Sequence, residues 1–350
     1  MLVFGAPSCI SDPGFLAQLK TRFPASQSVL CSTSGEIMGD RVFDDSAVVT
    51  AIGFDHTTIR PAMTNIRQHN NSYDAGRYLM EQLQPGDPST IFILSDGTKV
   101  NGTELAAGLS DSNPRNIPVT GGLAGDATRF LKTLVGLNDM PAEGNIVAIG
   151  FYGNRLHIGH GSFGGWDEFG HERVITRSNK NVLYELNGRN ALDLYKEYLG
   201  PYVDELPGSA LLFPLSLRVN GSGQNLVRTI LSIDEKEKSM TFAGNLPEGG
   251  KVRLMKANFD KLIDGSATAA RHTFEPLRHQ PDLAILISCV GRRLVLQHRI
   301  DEEVQAAKDI FGDGTIISGF YSYGEISPLQ DQSSCELHNQ TMTITTFSES

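Results

Sequence analysis

Three stretches of this sequence follow one design: an apolar strand, a turn of small residues, a helix, and a second apolar strand that ends in glycine followed by an acid. They run over residues 2–36, 91–126 and 283–325. A strand–helix–strand unit of this length pairs its two strands in parallel and puts both carboxyl ends at one edge of a sheet. The three units could therefore bring three glycine–acid turns to one side of the molecule, where a pocket could form.

Local signals predict the helix in each unit. Asp12 is a suitable N-cap, and Pro13 suits the first helical position. Asn101 is the expected N-cap of the second unit and Asp301 that of the third. In the third unit Gly312 is the expected stop signal.

The sequence between the units has a different texture. Residues 46–62, 132–151 and 226–242 are predicted to form strands in hairpins or meanders, and residues 72–83 and 258–271 to form amphipathic helices. The fold class expected is therefore α/β (mixed α+β), with mixed sheets flanked by helices and built on repeated strand–helix–strand units.

Two pseudo-duplicated halves are expected, because such units occur in both parts of the chain. We place the boundary near residue 195, before the Gly200-Pro201 and Pro207-Gly208 interruptions, which gives domains 1–195 and 196–350. Asn220-Gly221 is a strong turn signal within the second domain.

Composition excludes several classes of protein. With 40% hydrophobic and 20% charged residues the chain is a globular protein, and its net charge of −10 argues against nucleic acid as a main partner. No segment approaches the roughly 20 apolar residues that cross a bilayer, and the start lacks a secretory signal, so we expect no membrane and a cytoplasmic location. The four cysteines show no C-x-x-C spacing and are expected to be reduced.

The glycine–acid turns have two open interpretations. Glycine lets the backbone approach a ligand closely, the neighbouring hydroxyls can hold polar atoms, and the acid can orient an amine or a hydroxyl. Alternatively, the acids only cap the next element. On the first interpretation the ligand-binding residues are Ser32, Thr33, Ser34, Gly35, Glu36, Gly125, Asp126, Gly324 and Glu325.

The aromatic and histidine signals are less specific. Trp166, the only tryptophan, could be a pocket wall or part of a loop folded over the core. His157 and His160 lie in a predicted strand, where a separation of three residues points to opposite faces, so a metal pair is not expected. His338 precedes a threonine-rich strand; such a histidine is usually structural, although imidazole is also a common haem ligand.

Catalytic motifs are weak. Gly97 and Gly102 have the spacing of a phosphate loop, but Thr103 stands where the lysine is needed. Cys31 or Ser32 could act as a nucleophile, but no G-x-S-x-G elbow is present. We therefore expect no catalytic residues and no enzymatic activity, and keep a Cys/Ser hydrolase as a minor alternative.

At this point several motifs resemble FIST domains, ligand-sensing modules of signal transduction, over almost the whole chain. The matching stretches are 31–37, 122–126, 138–139, 291–296, 319–328 and 338–343. The resemblance implies a FIST N-terminal and a FIST C-terminal domain. Relatives usually carry a segment before the first strand, whereas this chain enters it at Leu2, so we expect a truncated start or a missing covering helix; a homodimer is one open option.

Four further stretches are similar to the bacterial NosP-type branch: 164–167, 181–186, 240–244 and 256–259. That branch implies haem b, a response to nitric oxide, and a partner sensor histidine kinase or cyclic-di-GMP enzyme. His338 is the first candidate for the iron ligand. The haem-contact candidates are His338, His160, His157, Trp166, Tyr321 and Tyr323. The alternatives left open are a haem-free module for a small metabolite such as an amino acid and a scaffold without a ligand.

Overall fold

A computed structural model of the chain describes residues 1–206, 208–218, 225–277, 280–328 and 335–350. The predicted turn at Asn220-Gly221 lies outside these residues. The helices are α1 (Pro7–Ile10), α2 (Pro13–Arg22), α3 (Ser72–Leu83), α4 (Gly102–Asp111), α5 (Ala191–Leu199), α6 (Phe259–Leu277), α7 (Val290–Leu296) and α8 (Ile300–Phe311). Short 3₁₀ helices span Ile66–Gln68, Gly200–Glu205, Gly208–Leu212 and Gln297–Arg299.

The strands follow in chain order. They are β1 (Leu2–Gly5), β2 (Val29–Ser32), β3 (Glu36–Met38), β4 (Arg41–Phe43), β5 (Ala47–Thr50), β6 (Thr58–Asn65), β7 (Thr90–Ser95), β8 (Val119–Leu123), β9 (Val135–Leu137), β10 (Asn145–Tyr152), β11 (Leu156–Phe163), β12 (Asp167–Asn179), β13 (Val182–Leu186), β14 (Arg189–Asn190), β15 (Leu215–Arg218), β16 (Asn225–Arg228), β17 (Ile230–Asp234), β18 (Ser239–Phe242), β19 (Lys251–Lys256), β20 (Leu283–Cys289), β21 (Ile316–Ser322), β22 (Gly324–Pro328), β23 (Cys335–His338) and β24 (Met342–Glu349).

The expected fold class is confirmed, because mixed sheets flanked by helices form the described structure. Their strand orders are β5-β1-β2-β9, β23-β22-β8-β7-β10-β6 and β11-β24-β20-β21-β3-β4. A further sheet is antiparallel throughout, with the order β16-β15-β19-β12-β13-β18-β17 and β14 paired to β13. We call it the antiparallel sheet, and we call the rest of the molecule the layered body.

All three predicted strand–helix–strand units form, and in each the two strands are parallel: β1 with β2, β7 with β8, and β20 with β21. Two helix caps are confirmed: the Asp12 carboxylate accepts the amide of Gly14, and Asn101 Oδ1 accepts that of Glu104. The third cap is wrong, since α8 begins at Ile300. Asp301 lies in its first turn, and its carboxylate instead accepts the amide of Val42 at 3.0 Å.

The two parts of the chain share their sheets. β3 pairs with β21, β8 with β22, and β11 with β24, so strands from both predicted halves alternate. Residue 195 lies within α5, and the antiparallel sheet takes strands from both sides of it in sequence. The division at residue 195 stays a prediction.

The core is divided in the same way as the sheets. The central strands of the layered body are buried on both faces, as in β7, where every residue from Thr90 to Ser95 is buried. The antiparallel sheet has a separate core with α5, which includes Leu183, Leu192 and Leu254. No helix in the described part of the chain is long and apolar enough to span a bilayer.

Candidate functional site

The three glycine–acid turns meet in the structure. The amide of Ser34 donates to the Tyr321 carbonyl at 2.8 Å, and the amide of Tyr321 donates to the Gly35 carbonyl at 2.8 Å. The amide of Gly125 donates to the Ser32 carbonyl at 2.9 Å. The first turn is therefore bonded to both others, because the parallel units bring their strand ends to one place.

Two of the three acids bond within their own turn. Glu36 accepts from the hydroxyl of Thr33, and Glu325 from that of Ser322 at 2.7 Å, so a hydroxyl three residues earlier holds each carboxylate. Burial raises the pKa of Glu36, and it raises the pKa of Glu325 to about 8. For these two acids, the geometry fits the interpretation as structural turns.

Asp126 organises the loop that follows its turn. Its carboxylate accepts the amides of Phe130 at 2.8 Å, Leu131 at 3.0 Å and Lys132 at 2.8 Å, and also the hydroxyl of Tyr323. The ring of Phe130 stacks on that of Tyr323, with centroids 4.4 Å apart and planes 14° apart. Asp126 thus fixes a pair of aromatic rings beside the turns.

A cavity of about 310 Å³ opens at this pair of rings. Pockets for small molecules are commonly of this size, and open α/β sheets place them beyond the carboxyl ends of strands. Its lining joins the β7–α4 loop, the turn region and the antiparallel sheet. The lining residues are Gly97, Thr98, Lys99, Val100, Asn101, Gly102, Leu123, Phe130, Asn181, Leu231, Phe242, Ala243 and Tyr323.

The buried carboxylate of Asp96 holds the loop between β7 and α4 through hydrogen bonds to its backbone. Asp96 accepts the amides of Thr98, Lys99 and Gly144, each at 2.7 Å. The amide of Gly97 donates to the Thr133 hydroxyl at 2.9 Å. This wall of the cavity is therefore preorganised.

Of the predicted site residues, Tyr323 lines this cavity. None of the nine ligand-binding candidates from the three turns lines it, and of these Asp126 bonds the lining residues Phe130 and Tyr323. The sequence reasoning missed Lys99 and Phe130. The sequence could have indicated the β7–α4 loop as part of a site, because this loop follows a buried strand. Asn181, Leu231 and Phe242 come from another sheet, and no sequence pattern indicates that they line a site.

The predicted haem ligands lie elsewhere. His338 is 7% exposed, its Nε2 is 3.1 Å from the Ser327 carbonyl oxygen, and burial lowers its pKa to about 4. His157 Nε2 is 2.9 Å from Ser350 Oγ, and burial lowers the pKa of His160. None of the three lines the cavity. His338 is buried where β23 pairs with β22, so it does not fit a haem ligand as it is arranged, and the roles expected of His157 and His160 stay predictions.

The two remaining aromatic candidates, Trp166 and Tyr321, both bond residues of the C-terminal half. Trp166 donates its Nε1–H to the Gln340 carbonyl at 2.8 Å and packs against Leu262, which fits the interpretation as a loop over the core. Tyr321 is fully buried and donates to the Glu303 carboxylate at 2.8 Å. The haem contacts expected for both stay predictions.

The nucleophile candidates are buried. The Cys31 thiol is fully buried, and burial raises its pKa, whereas a nucleophilic cysteine needs a lowered one. Ser32 Oγ accepts the amide of Leu134 at 2.9 Å. Within the described residues no group of three metal-ligating side chains occurs. Nothing in this geometry favours the hydrolase alternative.

These observations define a class: a mixed α/β protein with a preorganised, partly aromatic cavity between a layered body and an antiparallel sheet. The FIST N domain matches residues 1–189 and the FIST C domain residues 191–328, so the chain belongs to the FIST family. FIST domains are generally sensor domains of signal transduction. The match does not reach the NosP-type branch, which stays a prediction.

The other comparisons add little. No curated protein matches the chain significantly. Among solved structures, phosphoribosylformylglycinamidine synthase II from Thermotoga maritima is similar at 10% identity, covering 91% of this chain and 74% of that chain, with a TM-score of 0.24. A likeness this low carries no argument about function.

Proposed function

We propose that this chain is a ligand-sensing module whose small-molecule ligand binds in the cavity between the layered body and the antiparallel sheet. One observation carries the proposal: the lining combines Lys99 and Phe130 from the body with Leu231 and Phe242 from the sheet. A molecule in the cavity therefore contacts both units at once, which a binding module needs if occupancy is to alter their relation.

Few polar contacts join the two units near the cavity. Asn101 Nδ2 donates to Asn245 Oδ1 at 3.2 Å, and the amide of Asn245 donates to Thr103 Oγ1 at 3.1 Å. Lys180 pairs with Glu104 at 2.8 Å. A ligand that bound one arrangement of this junction more tightly than another would shift the population toward it.

We propose further that a partner protein detects this shift. The resemblance implies a sensor histidine kinase or a cyclic-di-GMP enzyme, working in the cytoplasm, while the chain itself has no catalytic role. These points stay predictions, as does the homodimer.

A cavity-filling variant tests the binding site. Ala243 lines the cavity, so Ala243→Trp should fill it, and exposed Ala51 offers the matched control Ala51→Trp. Thermal unfolding is measured with a panel of amino acids and small carboxylates. We expect at least one compound to raise the Tm of the wild type and of Ala51→Trp but not that of Ala243→Trp. Equal shifts in all three proteins would refute binding at this cavity.

Haem b and nitric oxide belong to a separate test, because no histidine among the described residues lines the cavity. The purified protein is titrated with haemin and the Soret band is recorded, before and after His338→Ala. A saturable band that His338→Ala abolishes would support the family expectation and require β22 and β23 to rearrange. Absence of a saturable band would rule haem out for this chain.

A further inference from the structure

Of the described residues that line the cavity, one, Lys99, has a cationic side chain. Lys99 projects from the preorganised β7–α4 loop, and its ammonium group forms no ion pair in the part of the chain that the structure describes. Because Asp96 fixes the backbone amide of Lys99 at 2.7 Å, the root of the lysine cannot drift away. An ammonium group on a backbone held in this way, without an ion-pair partner among the described residues, can pair with an anionic ligand.

Among the described residues of the lining, no acidic side chain balances this lysine. Asp126, directly behind Tyr323, is 2% exposed and accepts from three backbone amides. Glu104, at the start of α4, already pairs with Lys180. The net charge offered to a ligand is therefore positive, which favours an anion and disfavours a zwitterion, whose ammonium group would find no carboxylate.

The remaining lining offers flat and apolar surface. Phe130 presents the outer face of its ring and is 43% exposed, and Leu231 on the opposite wall is 45% exposed. Phe242 also lines the cavity. An aromatic face and aliphatic side chains at a small cavity bind a planar apolar group by stacking and by exclusion of water.

The backbone at Phe130 supports a role in binding. Its φ is +52°, a left-handed conformation that is unfavourable for a bulky residue. The Asp126 carboxylate and the Tyr323 hydroxyl both bond the Phe130 amide, at 2.8 and 3.1 Å, and hold it there. Strained conformations maintained by surrounding bonds concentrate at ligand sites. Here the two bonds hold a backbone conformation in which the ring lines the cavity and is 43% exposed.

We propose that the cavity binds a monocarboxylate with a flat apolar body, the carboxylate against the Lys99 ammonium group and the flat body against the ring of Phe130. This inference deepens the proposed sensing function and rests on it. It departs from an amino acid as ligand, since the described lining has no carboxylate to pair with an α-ammonium group.

Benzoate is the probe, compared with benzamide, benzylamine and L-phenylalanine by isothermal titration calorimetry. We expect benzoate to bind most tightly. Lys99→Gln should weaken the binding of benzoate by about tenfold, since a charge-assisted pair is lost, and leave the affinity for benzamide unchanged. Lys132→Gln is the matched control, because Lys132 is exposed and outside the lining, and it should bind benzoate like the wild type.

Phe130→Ala tests the flat body separately. Benzoate should lose most of its advantage over acetate in this variant, while acetate itself binds as before. Phe130 is half exposed, so the variant should remain folded, which its Tm verifies.

The outcomes separate this inference from the proposed function. If benzamide or L-phenylalanine binds as tightly as benzoate, and Ala243→Trp abolishes that binding, the ligand class is wrong and the binding site stands. Unweakened benzoate binding in Lys99→Gln also overturns the class. If no compound shows binding that Ala243→Trp removes, both proposals fall.

Discussion

Asp126, predicted to contact a ligand, instead bonds the residues that line the cavity. Its carboxylate collects three backbone amides and one hydroxyl, and so positions the Phe130 and Tyr323 rings. The sequence predicted the acid and its place at the strand end correctly. It could not predict that the following loop would fold back and take up both carboxylate oxygens.

Asp126→Asn keeps the shape of the side chain but removes its charge and one acceptor. We expect the free energy of unfolding to fall by about 2–3 kcal/mol, the cost of leaving buried donors unsatisfied. Urea denaturation measures the change. Asp313→Asn is the control, since the Asp313 side chain is fully exposed, and it should change stability by less than about 0.5 kcal/mol. Equal effects would mean that the loop does not depend on Asp126.

Glu325 makes stability depend on pH. Its pKa is raised to about 8 by burial, against about 4.3 for an unfolded glutamate. Between these values the folded protein keeps a proton that the unfolded chain releases, so stability falls as pH rises from about 5 to about 8. Glu325→Gln should remove this part of the pH dependence in urea unfolding at several pH values.

Exposed Glu237→Gln provides the reference for that experiment. It should follow the wild type at every pH. Parallel loss of stability in the wild type and in Glu325→Gln would show that the carboxyl group of Glu325 is not held protonated by the fold.

At the scale of elements, the parallel strand pairs of the second and third units share a glycine in the second strand. Gly121 lies opposite Ile93 and Gly319 opposite Leu286, and a Cβ at either glycine would overlap the carbonyl oxygen of its partner. The obstructing atoms belong to the backbone of a buried strand and cannot move aside. Both units therefore need a side-chain-free position in the strand that leads to the site.

Gly319→Ala should consequently destabilise the protein by more than about 2 kcal/mol, because β20 and β21 must separate locally to accommodate the methyl group. Thermal unfolding and the yield of folded protein measure the effect. Gly53→Ala is the control, since nothing lies within 4 Å of a Cβ built there. A variant at Gly319 as stable as the control would contradict the close approach of these strands.

Local patterns predicted the elements of each unit well. Asp12 followed by Pro13 gave the start of α2, and the continuous apolar run of β7 gave a buried parallel strand. The prediction for Asp301 was wrong, because an aspartate suits both the N-cap and the first turn of a helix. Its long-range bond to the amide of Val42 decides its role. Sequence spacing alone cannot distinguish a cap from such a contact.

At the scale of the whole molecule, a buried arginine links the antiparallel sheet to the layered body. Arg228 in β16 is 1% exposed and donates from Nη1 to the Leu337 carbonyl in β23 at 3.1 Å. Its Nε donates to the Asn245 carbonyl, also at 3.1 Å, beside the junction at the cavity. The guanidinium group bonds carbonyl oxygens, not a carboxylate, in the described part of the chain, and its burial lowers its pKa to about 10.

Arg228→Ala should weaken this link by about 3 kcal/mol, since buried carbonyl oxygens lose their donor. The antiparallel sheet has a core of its own and should then melt separately. Differential scanning calorimetry should show one transition in the wild type and two in the variant. Arg218→Ala, which removes a half-exposed ion pair in the same sheet, should retain one transition. Two transitions in this control as well would show that the separate melting is not specific to the loss of Arg228.

The arrangement of the units relative to one another could not be predicted from the sequence. Nothing in the pattern around β3 or β22 shows that the first would pair with β21 and the second with β8. Leu231 and Phe242 likewise read as ordinary strand residues, and only the packing of two sheets makes them part of a cavity. Pairings of strands more than a hundred residues apart depend on the complete tertiary fold.

The position of β24 has a consequence for biosynthesis. This strand lies between β11 and β20, whose sequences leave the ribosome earlier. In a nascent polypeptide that stops short of residue 342, β11 and β20 would lack the strand that pairs with both. Their unpaired apolar edges would be recognised by chaperones and proteases. Such prematurely ended products should be cleared by the cell.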